Sequence, residues 1–331
     1  ASDVYKRQVE NHASQAHKAF IILSIPQYEE TFLPNFRNGD VVVLYERNNG
    51  TDNVTNKMVF KGNIESITDN ELRIRLRAAQ QNPLVFPENS RYAVEHDTMD
   101  TTFRSMYLGL SSFMDANPER RELLLGQRPP RFDMAYEDRI ARTTDDFERV
   151  ALKAEAACDY FLLVGPPGTG KTSRALRRMV EHFYACPSTQ VLLLAYTNRA
   201  VDEICRSLSA ILPQVDYIRV GSELSCDARF RKHLLENVLA ECNNRREVNI
   251  RMADCRIYVG TVASIASKPE LFKLKHFDVA IVDEATQILE PQLLGILCAR
   301  FKDGRNGIGK FILIGDHKQL PAVVLLSLIH I

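Results

Sequence analysis

The chain has 331 residues, with 42 Lys and Arg balancing 42 Asp and Glu to a formal net charge of zero. That length allows two domains with a core each, and the composition is ordinary for a globular protein. Balanced charge excludes bulk electrostatics as the route to a polyanion, so any nucleic-acid groove has to be local.

No apolar run is long enough to span a bilayer and no signal peptide is evident, so no membrane partner is expected. The seven cysteines (158, 186, 205, 226, 242, 255 and 298) contain no C-x-x-C pair. Reduced thiols and a cytoplasmic location are the expectation, without metal-ligand spacing.

In chain order, residues 1–8 (ASDVYKRQ) are what GCGTCAGATGTGTATAAGAGACAG encodes, the end of a transposase-type sequencing adapter. Residues 326–331 (LSLIHI) are encoded by CTGTCTCTTATACACATC, which reads from the complement of the adapter's shared end. Both segments are expected to be non-native and to stand outside the fold, leaving 9–325 as native sequence.

Strands are predicted at 19–24, 40–45, 58–67, 71–77 and 92–95, separated by turns such as Asn48-Asn49-Gly50. Five short strands suggest a small β-barrel. Alternation in 71–77 sets Arg73, Arg75 and Arg77 on one face. That face is either a polyanion site or the solvated side of a half-buried strand.

Asp100 reads as a helix cap, followed at helical spacing by Phe103, Met106, Tyr107, Leu110 and Phe113, a predicted packing stripe. A second short helix, 118–125, leads to Gly126-Gln127-Arg128-Pro129-Pro130-Arg131, the best linker signal in the chain.

Beyond it, apolar runs at 161–164, 191–195, 217–220, 256–259, 279–282 and 311–314 alternate with helical stretches. This is the pattern of an α/β fold with a parallel sheet covered on both faces, whose ligands sit at the carboxyl ends of the strands. The first run, extended to Tyr160, reads as a buried strand. It leads into Gly165-Pro166-Pro167-Gly168-Thr169-Gly170-Lys171-Thr172-Ser173 and a helix through Val180. G-x-x-x-x-G-K-[ST] between strand and helix is a phosphate-binding loop: backbone N–H groups cradle phosphates, Lys171 reaches the β- and γ-oxygens, and Thr172 holds Mg²⁺.

Val282-Asp283-Glu284-Ala285-Thr286-Gln287 closes a later apolar strand. Asp283 is the expected metal ligand and Glu284 the expected base for the attacking water. Gly315-Asp316-His317-Lys318-Gln319-Leu320-Pro321 offers Gln319 as a sensor of the γ-phosphate, or is simply a polar turn. The clusters around Thr197-Asn198 and Gly260-Thr261 put hydroxyls and amides at strand ends, suited either to phosphodiester oxygens or to plain helix caps.

Together and in this order, the clusters resemble superfamily 1B helicases, of the DNA-replication helicase/nuclease and nonsense-mediated-decay RNA helicase types. The match is dense from Asp159 to Val324. The resemblance implies a RecA-like P-loop NTPase domain at 137–325, a small β-barrel at 9–99, stalk helices at 100–126 and a linker at 127–136. It implies that Lys171, Thr172, Asp283, Glu284 and Gln319 serve ATP and Mg²⁺. It further implies that Thr197, Asn198 and Thr261 touch a single strand of DNA or RNA, with translocation from 5′ to 3′. The second motor domain, with its arginine fingers, would come from a C-terminal part of the parent chain, so the chain alone is expected to be nearly inactive. The family's adenine-reading glutamine would fall near Phe147, and no glutamine occurs between Gln127 and Gly165. A DNA helicase is the favoured reading. An RNA helicase, a switch-type P-loop ATPase and a pure single-strand binding module stand as alternatives.

Overall fold

A computed structural model of the chain describes residues 3–8, 20–25, 36, 38–68, 70–77, 85–87, 90–97, 101–211 and 214–319. These divide into two compact units, Ala1–Asp100 and Thr101–Ile331.

The first unit is a closed antiparallel barrel of β1 (Asp3–Gln8), β2 (Phe20–Ser24), β3 (Val41–Glu46), β4 (Val59–Ile67), β5 (Glu71–Leu76) and β6 (Arg91–His96), in the order β1-β2-β5-β4-β3-β6. Period-two patterning fills it: Leu72, Ile74 and Leu76 of β5 point inward, beside Leu23, Val42, Leu44 and Ile64. The outward Arg73 and Arg75 share Glu65, at 2.9 and 2.6 Å, and lie over the Phe20 ring. Arg77 donates to the Asn63 side chain at 3.3 Å. Two of the three arginines thus share one carboxylate, which offsets one of their two charges in place and fits the solvated-face reading of this strand.

Residues 1–8 were expected outside the fold, and here the expectation is corrected. Asp3–Gln8 pairs with both β2 (Lys6 opposite Ser24) and β6 (Tyr5 opposite Tyr92), closing the barrel. Pairing at a sheet edge is made by backbone N–H and C=O groups, which any extended segment supplies. The coding origin of a segment therefore does not decide whether it pairs. Residues 326–331 lie outside the described residues.

The second unit carries a six-stranded parallel sheet in the order β7-β12-β11-β8-β10-β9. Its strands are β7 (Tyr160–Val164), β8 (Val191–Ala195), β9 (Tyr217–Val220), β10 (Ile257–Thr261), β11 (Phe277–Val282) and β12 (Ile308–Gly315). Helices cover both faces. In β8 all five residues are buried: Val191, Leu193 and Ala195 join one core, Leu192 and Leu194 the other. This is the RecA-like α/β architecture expected from the sequence. The strand before the phosphate loop differs from its expectation. β7 lies at the sheet edge with β12 as its paired neighbour, and Leu162 and Val164 are more than half exposed. An apolar run reports that a segment can be buried, not how many neighbours it gets.

Helix Thr101–Met114 packs on helix Glu290–Leu297, and only part of the predicted stripe takes part: Phe113 packs against the cluster of Ala116, Leu294 and Cys298. Tyr107 and Leu110 are exposed, while Gly109 is buried so close to the other helix that a Cβ there would stand 2.0 Å from the Pro291 carbonyl oxygen. Close backbone approach at Gly109, which requires glycine, works beside the Phe113 side-chain packing at this crossing.

Helix Pro118–Leu124 is fastened to the sheet by buried Arg120, whose guanidinium donates to the Ile308 and Gly309 carbonyls at 2.6 and 2.9 Å. The segment read as a linker is also fixed to this unit. Arg128 and Arg131 each grip the Asp159 carboxylate through two hydrogen bonds of 2.9–3.1 Å, and the Arg131 N–H adds a third contact at 2.7 Å.

Candidate functional site

The polar clusters named from the sequence all follow strand ends on one edge of the parallel sheet. Register sets them side by side: Val164 is opposite Gly315, and Val282 lies between Leu313 and Leu194. The loop after β7 is therefore next to the turn after β12, and Asp283 comes next.

Two glycines shape the loop, with Gly168 at φ 77° and Gly170 at φ 80°, the left-handed region that side chains disfavour. The Thr169 hydroxyl donates to the Pro166 carbonyl at 2.8 Å and tightens the turn. Lys171–Leu176 forms a π-type first turn, in which the Ala175 N–H reaches back to the Gly170 carbonyl at 2.9 Å before helix Arg177–Ala185 continues. Lys171 Nζ donates to the Gly165 and Pro166 carbonyls at 2.5 and 2.7 Å, folded back over the loop. Gly165 N–H donates to the Gly315 carbonyl at 3.2 Å, tying the loop to β12.

The Thr172 hydroxyl donates to Asp283 Oδ2 at 2.5 Å, and Asp283 Oδ1 accepts the Glu284 N–H at 2.9 Å. Burial pushes the Asp283 carboxyl above the ordinary carboxylate range, opposed by the Thr172 bond, the Glu284 N–H and the charge of Lys171. Glu284 is also pushed up, first by burial and then by Asp283, with Arg199 acting the other way. Glu284 takes φ 53° and ψ 34°, the one non-glycine residue with positive φ among the described residues. Strain of this kind clusters at functional sites.

Lys171, Thr172, Asp283, Glu284 and Gln319 all line one cleft of about 380 Å³, with Pro167, Gly168, Gly170 and Ser173 on its loop side. Gly165, Pro166 and Thr169 shape the loop without lining that cleft. A hydroxyl and a carboxylate meeting at one point beside a cradle of N–H groups fit a nucleotide-borne Mg²⁺, which takes only one or two protein ligands. Among the described residues no cluster of three His, Cys, Asp or Glu could hold a metal ion on its own.

Sequence reading missed three residues at or beside the loop: Glu203, Ser207 and Arg174. Glu203 and Ser207, from helix Asn198–Ser209, line the same cleft. Thr286 and Gln287, both within the Asp283–Gln287 motif read from the sequence, also line it, and Thr286 crowds Gly315, where a Cβ would stand 2.8 Å from the Thr286 methyl. Arg174 lies over the Phe147 ring at 4.3 Å, against Gly170. Helical spacing from Lys171 to Arg174 is a signal for Arg174; Glu203 and Ser207 come from a distant segment.

Thr197, Asn198 and Thr261 do not line this cleft. They follow the neighbouring strands β8 and β10, where Ala195 lies opposite Thr261. The exposed Thr197 caps its helix by accepting the Ala200 N–H at 3.1 Å. Thr261 is buried, accepts the Ser264 N–H at 3.1 Å and meets the Ser264 hydroxyl at 2.8 Å. Both threonines act as the helix caps that the sequence held open as the alternative. Nearby, Asp202 pairs with Arg219, buried to 1% exposure, and so anchors helix Asn198–Ser209 to β9.

No helix among the described residues is long and apolar enough to cross a membrane. A protein-family profile described as AAA domain (AAA_11) matches residues 143–256 and 243–327. Among curated proteins, the chain is 27% identical over 323 residues to the DNA replication ATP-dependent helicase/nuclease DNA2 of Bos taurus, covering 87% of this chain and 29% of that one. It is 37% identical over 179 residues to the DNA2 of Xenopus laevis, covering 50% and 15%. It is 28% identical over 244 residues, covering 62% and 21%, to ECM32 of Saccharomyces cerevisiae, named as a candidate ATP-dependent RNA helicase. The chain thus spans less than a third of the length of these relatives. With the profile matching more than half of its residues, the chain belongs to the AAA domain family, and its motifs and relatives make it a superfamily 1 helicase sequence.

Proposed function

We propose that this chain carries the first motor domain of an ATP-dependent helicase that translocates 5′ to 3′ on single-stranded DNA. The observation that supports this most directly is the convergence of Lys171, Thr172, Asp283, Glu284 and Gln319 on one cleft at the strand ends. In this reading the loop N–H groups and Lys171 bind the triphosphate, with Lys171 leaving its carbonyl partners for the β- and γ-oxygens. Thr172 and Asp283 hold Mg²⁺, which would neutralise charge on the phosphates. Glu284 orients the attacking water and takes its proton; Gln319 senses the γ-phosphate. Thr197, Asn198 and Thr261, at neighbouring strand ends, contact the phosphodiester backbone of the strand in this reading.

Among the described residues lining the cleft there is no arginine. An arginine finger is worth roughly 10³–10⁵ in rate, so the second motor domain would supply it and the chain alone turns over very slowly. RNA is the second reading, favoured by the similarity to ECM32, because backbone contacts of this kind do not read the 2′-OH. The test is binding of a fluorescent ATP analogue to the chain with and without Mg²⁺, alongside Lys171→Ala. Mg²⁺-dependent binding that Lys171→Ala abolishes is expected. Equal binding by wild type and variant would overturn the assignment of the loop.

A further inference from the structure

A second cavity, of about 260 Å³, opens between the C-terminal end of helix Asn198–Ser209 and the short helix Ala228–His233. It shares no lining residue with the cleft at the phosphate loop. Its wall carries Arg206, Arg229, Lys232, Gln214 and His233, with Phe230 as its apolar side. Among the described residues no carboxylate lines it, so three cations border one small volume with no acid between them.

Packing holds these groups in place. Phe230 is buried in the core to which helix Asn198–Ser209 contributes Ile204 and Leu208. The His233 ring stacks on Tyr217 of β9, with centroids 3.9 Å apart. Burial and the charge of Lys232 push the His233 pKa down, so its ring is neutral at pH 7 and adds no charge.

The acids around the cavity are each taken by an arginine. Asp227 accepts from Nε and Nη2 of Arg229 at 3.0 and 2.6 Å, which leaves Nη1 to a ligand. Glu203 pairs with Nη1 of Arg206. Asp202 holds Arg219, and Asp216 holds Arg251. Among the described residues Lys232 has no carboxylate within ion-pair distance. One positive charge is therefore left over, and every charged group in the wall is a donor.

Such a wall selects its ligand by charge and by number of oxygens. Guanidinium forks match phosphate, and charge-assisted bonds of this kind are the strong ones. A phosphomonoester carries about −1.5 to −2 charges at pH 7 and three acceptor oxygens. A carboxylate, with two oxygens and one charge, would leave part of the wall without a partner. The cavity is also smaller than the roughly 300–1,000 Å³ of pockets for larger ligands, which calls for a compact occupant.

We propose that this cavity binds a compact phosphate dianion, as the free ion or as the monoester of a small molecule.

The experiment follows the His233 ring protons by NMR in histidine-labelled protein, with their signals identified from His233→Gln. Inorganic phosphate, glycerol 2-phosphate and acetate are titrated at constant pH and ionic strength. Wild type is compared with Lys171→Ala, which separates the cavity from the phosphate loop, and with Lys232→Ala and Arg229→Gln. The last two replace exposed side chains, and each variant is first checked for a native melting transition. Both phosphates should shift the His233 signals saturably, with the same midpoint in wild type and Lys171→Ala, and acetate should bind at least tenfold more weakly. Lys232→Ala and Arg229→Gln should each raise the phosphate midpoint by about tenfold. A lower midpoint for glycerol 2-phosphate assigns the occupant to an organic ester, and a lower one for phosphate to the free ion; equal midpoints show that the phosphate group alone is read. All three support the site. Shifts that do not saturate, acetate binding as tightly as phosphate, or midpoints unchanged in both cavity variants would overturn it. Shifts lost in Lys171→Ala would place the ion in the phosphate loop and overturn it as well. Response to a single-stranded oligonucleotide with both phosphates inert would make the cavity a strand contact and overturn the small-anion assignment.

Discussion

Replacing Glu284 by glycine should make the protein more stable while removing its turnover. Glu284 sits at φ 53° and ψ 34°, where a side chain presses on the following carbonyl. That conformation costs an L-residue roughly 1–2 kcal/mol, and glycine escapes the cost. Against this, glycine loses about 0.5–1 kcal/mol more backbone freedom on folding. The carboxylate is also partly buried beside Asp283, and both features hold its pKa up, so removing it relieves a further unfavourable contribution. The backbone bonds at this position, Glu284 N–H to Asp283 at 2.9 Å and Gln287 N–H to the Glu284 carbonyl at 2.9 Å, are open to any residue. The net expectation for Glu284→Gly is a gain of about 1 kcal/mol, or roughly 2 °C in melting temperature for a chain of this size. Asparagine tolerates the same conformation without the entropic loss, so Glu284→Asn should gain at least as much. Glu284→Gln keeps the strain and loses only the charge, so its gain should be smaller. Thermal and urea melts of the four proteins read the order; ATPase assays on the full-length parent read the loss of turnover, with Mg-ATP binding retained in Glu284→Gln. Glycine and asparagine variants both less stable than wild type would show that the side chain, not backbone strain, sets the balance here.

Asp159→Asn should destabilise the chain by about 2–4 kcal/mol, because it removes a buried carboxylate that bridges Arg128 and Arg131, one of which is two-thirds exposed and partly screened. The two guanidiniums hold the Asp159 carboxyl far below the usual carboxylate range, against a burial effect of opposite sign. Its folded pKa being depressed, the contribution is present above the unfolded value near 3.9 and is lost as pH falls below it. The gap in melting temperature between wild type and variant should therefore be full at pH 7 and narrow between about pH 5 and pH 3; a gap that stays constant with pH would refute the charge-based account. Alanine at Thr197, Asn198 and Thr261 together should weaken single-strand binding about equally for every base sequence, since phosphate contacts carry no sequence information directly. Unchanged binding in fluorescence anisotropy would place the strand elsewhere on the protein.

Much of this molecule is written locally. The period-two run of β5 and the glycines of the phosphate loop constrain their own backbones, so strands, loop and helix starts are legible one window at a time. The order of strand-end clusters also carries the candidate site, because a parallel sheet delivers each strand end to the same edge whatever the intervening helices do. Contacts between distant segments are another matter. The sequence names Thr172 and Asp283 as partners in a motif, but only β7, β12 and β11 in register bring their oxygens to 2.5 Å. The edge position of β7, the pairing of Asp3–Gln8 and the Gly109 crossing depend on which neighbours a segment meets, and hydrophobicity encodes burial without naming the partner. Phe147 reads as an ordinary apolar helix residue; the fold makes it a support for Arg174 by laying its helix against the first turn after the loop. Tertiary structure decides such features because pairing and packing free energies are shared between segments, and a single segment carries only half of each.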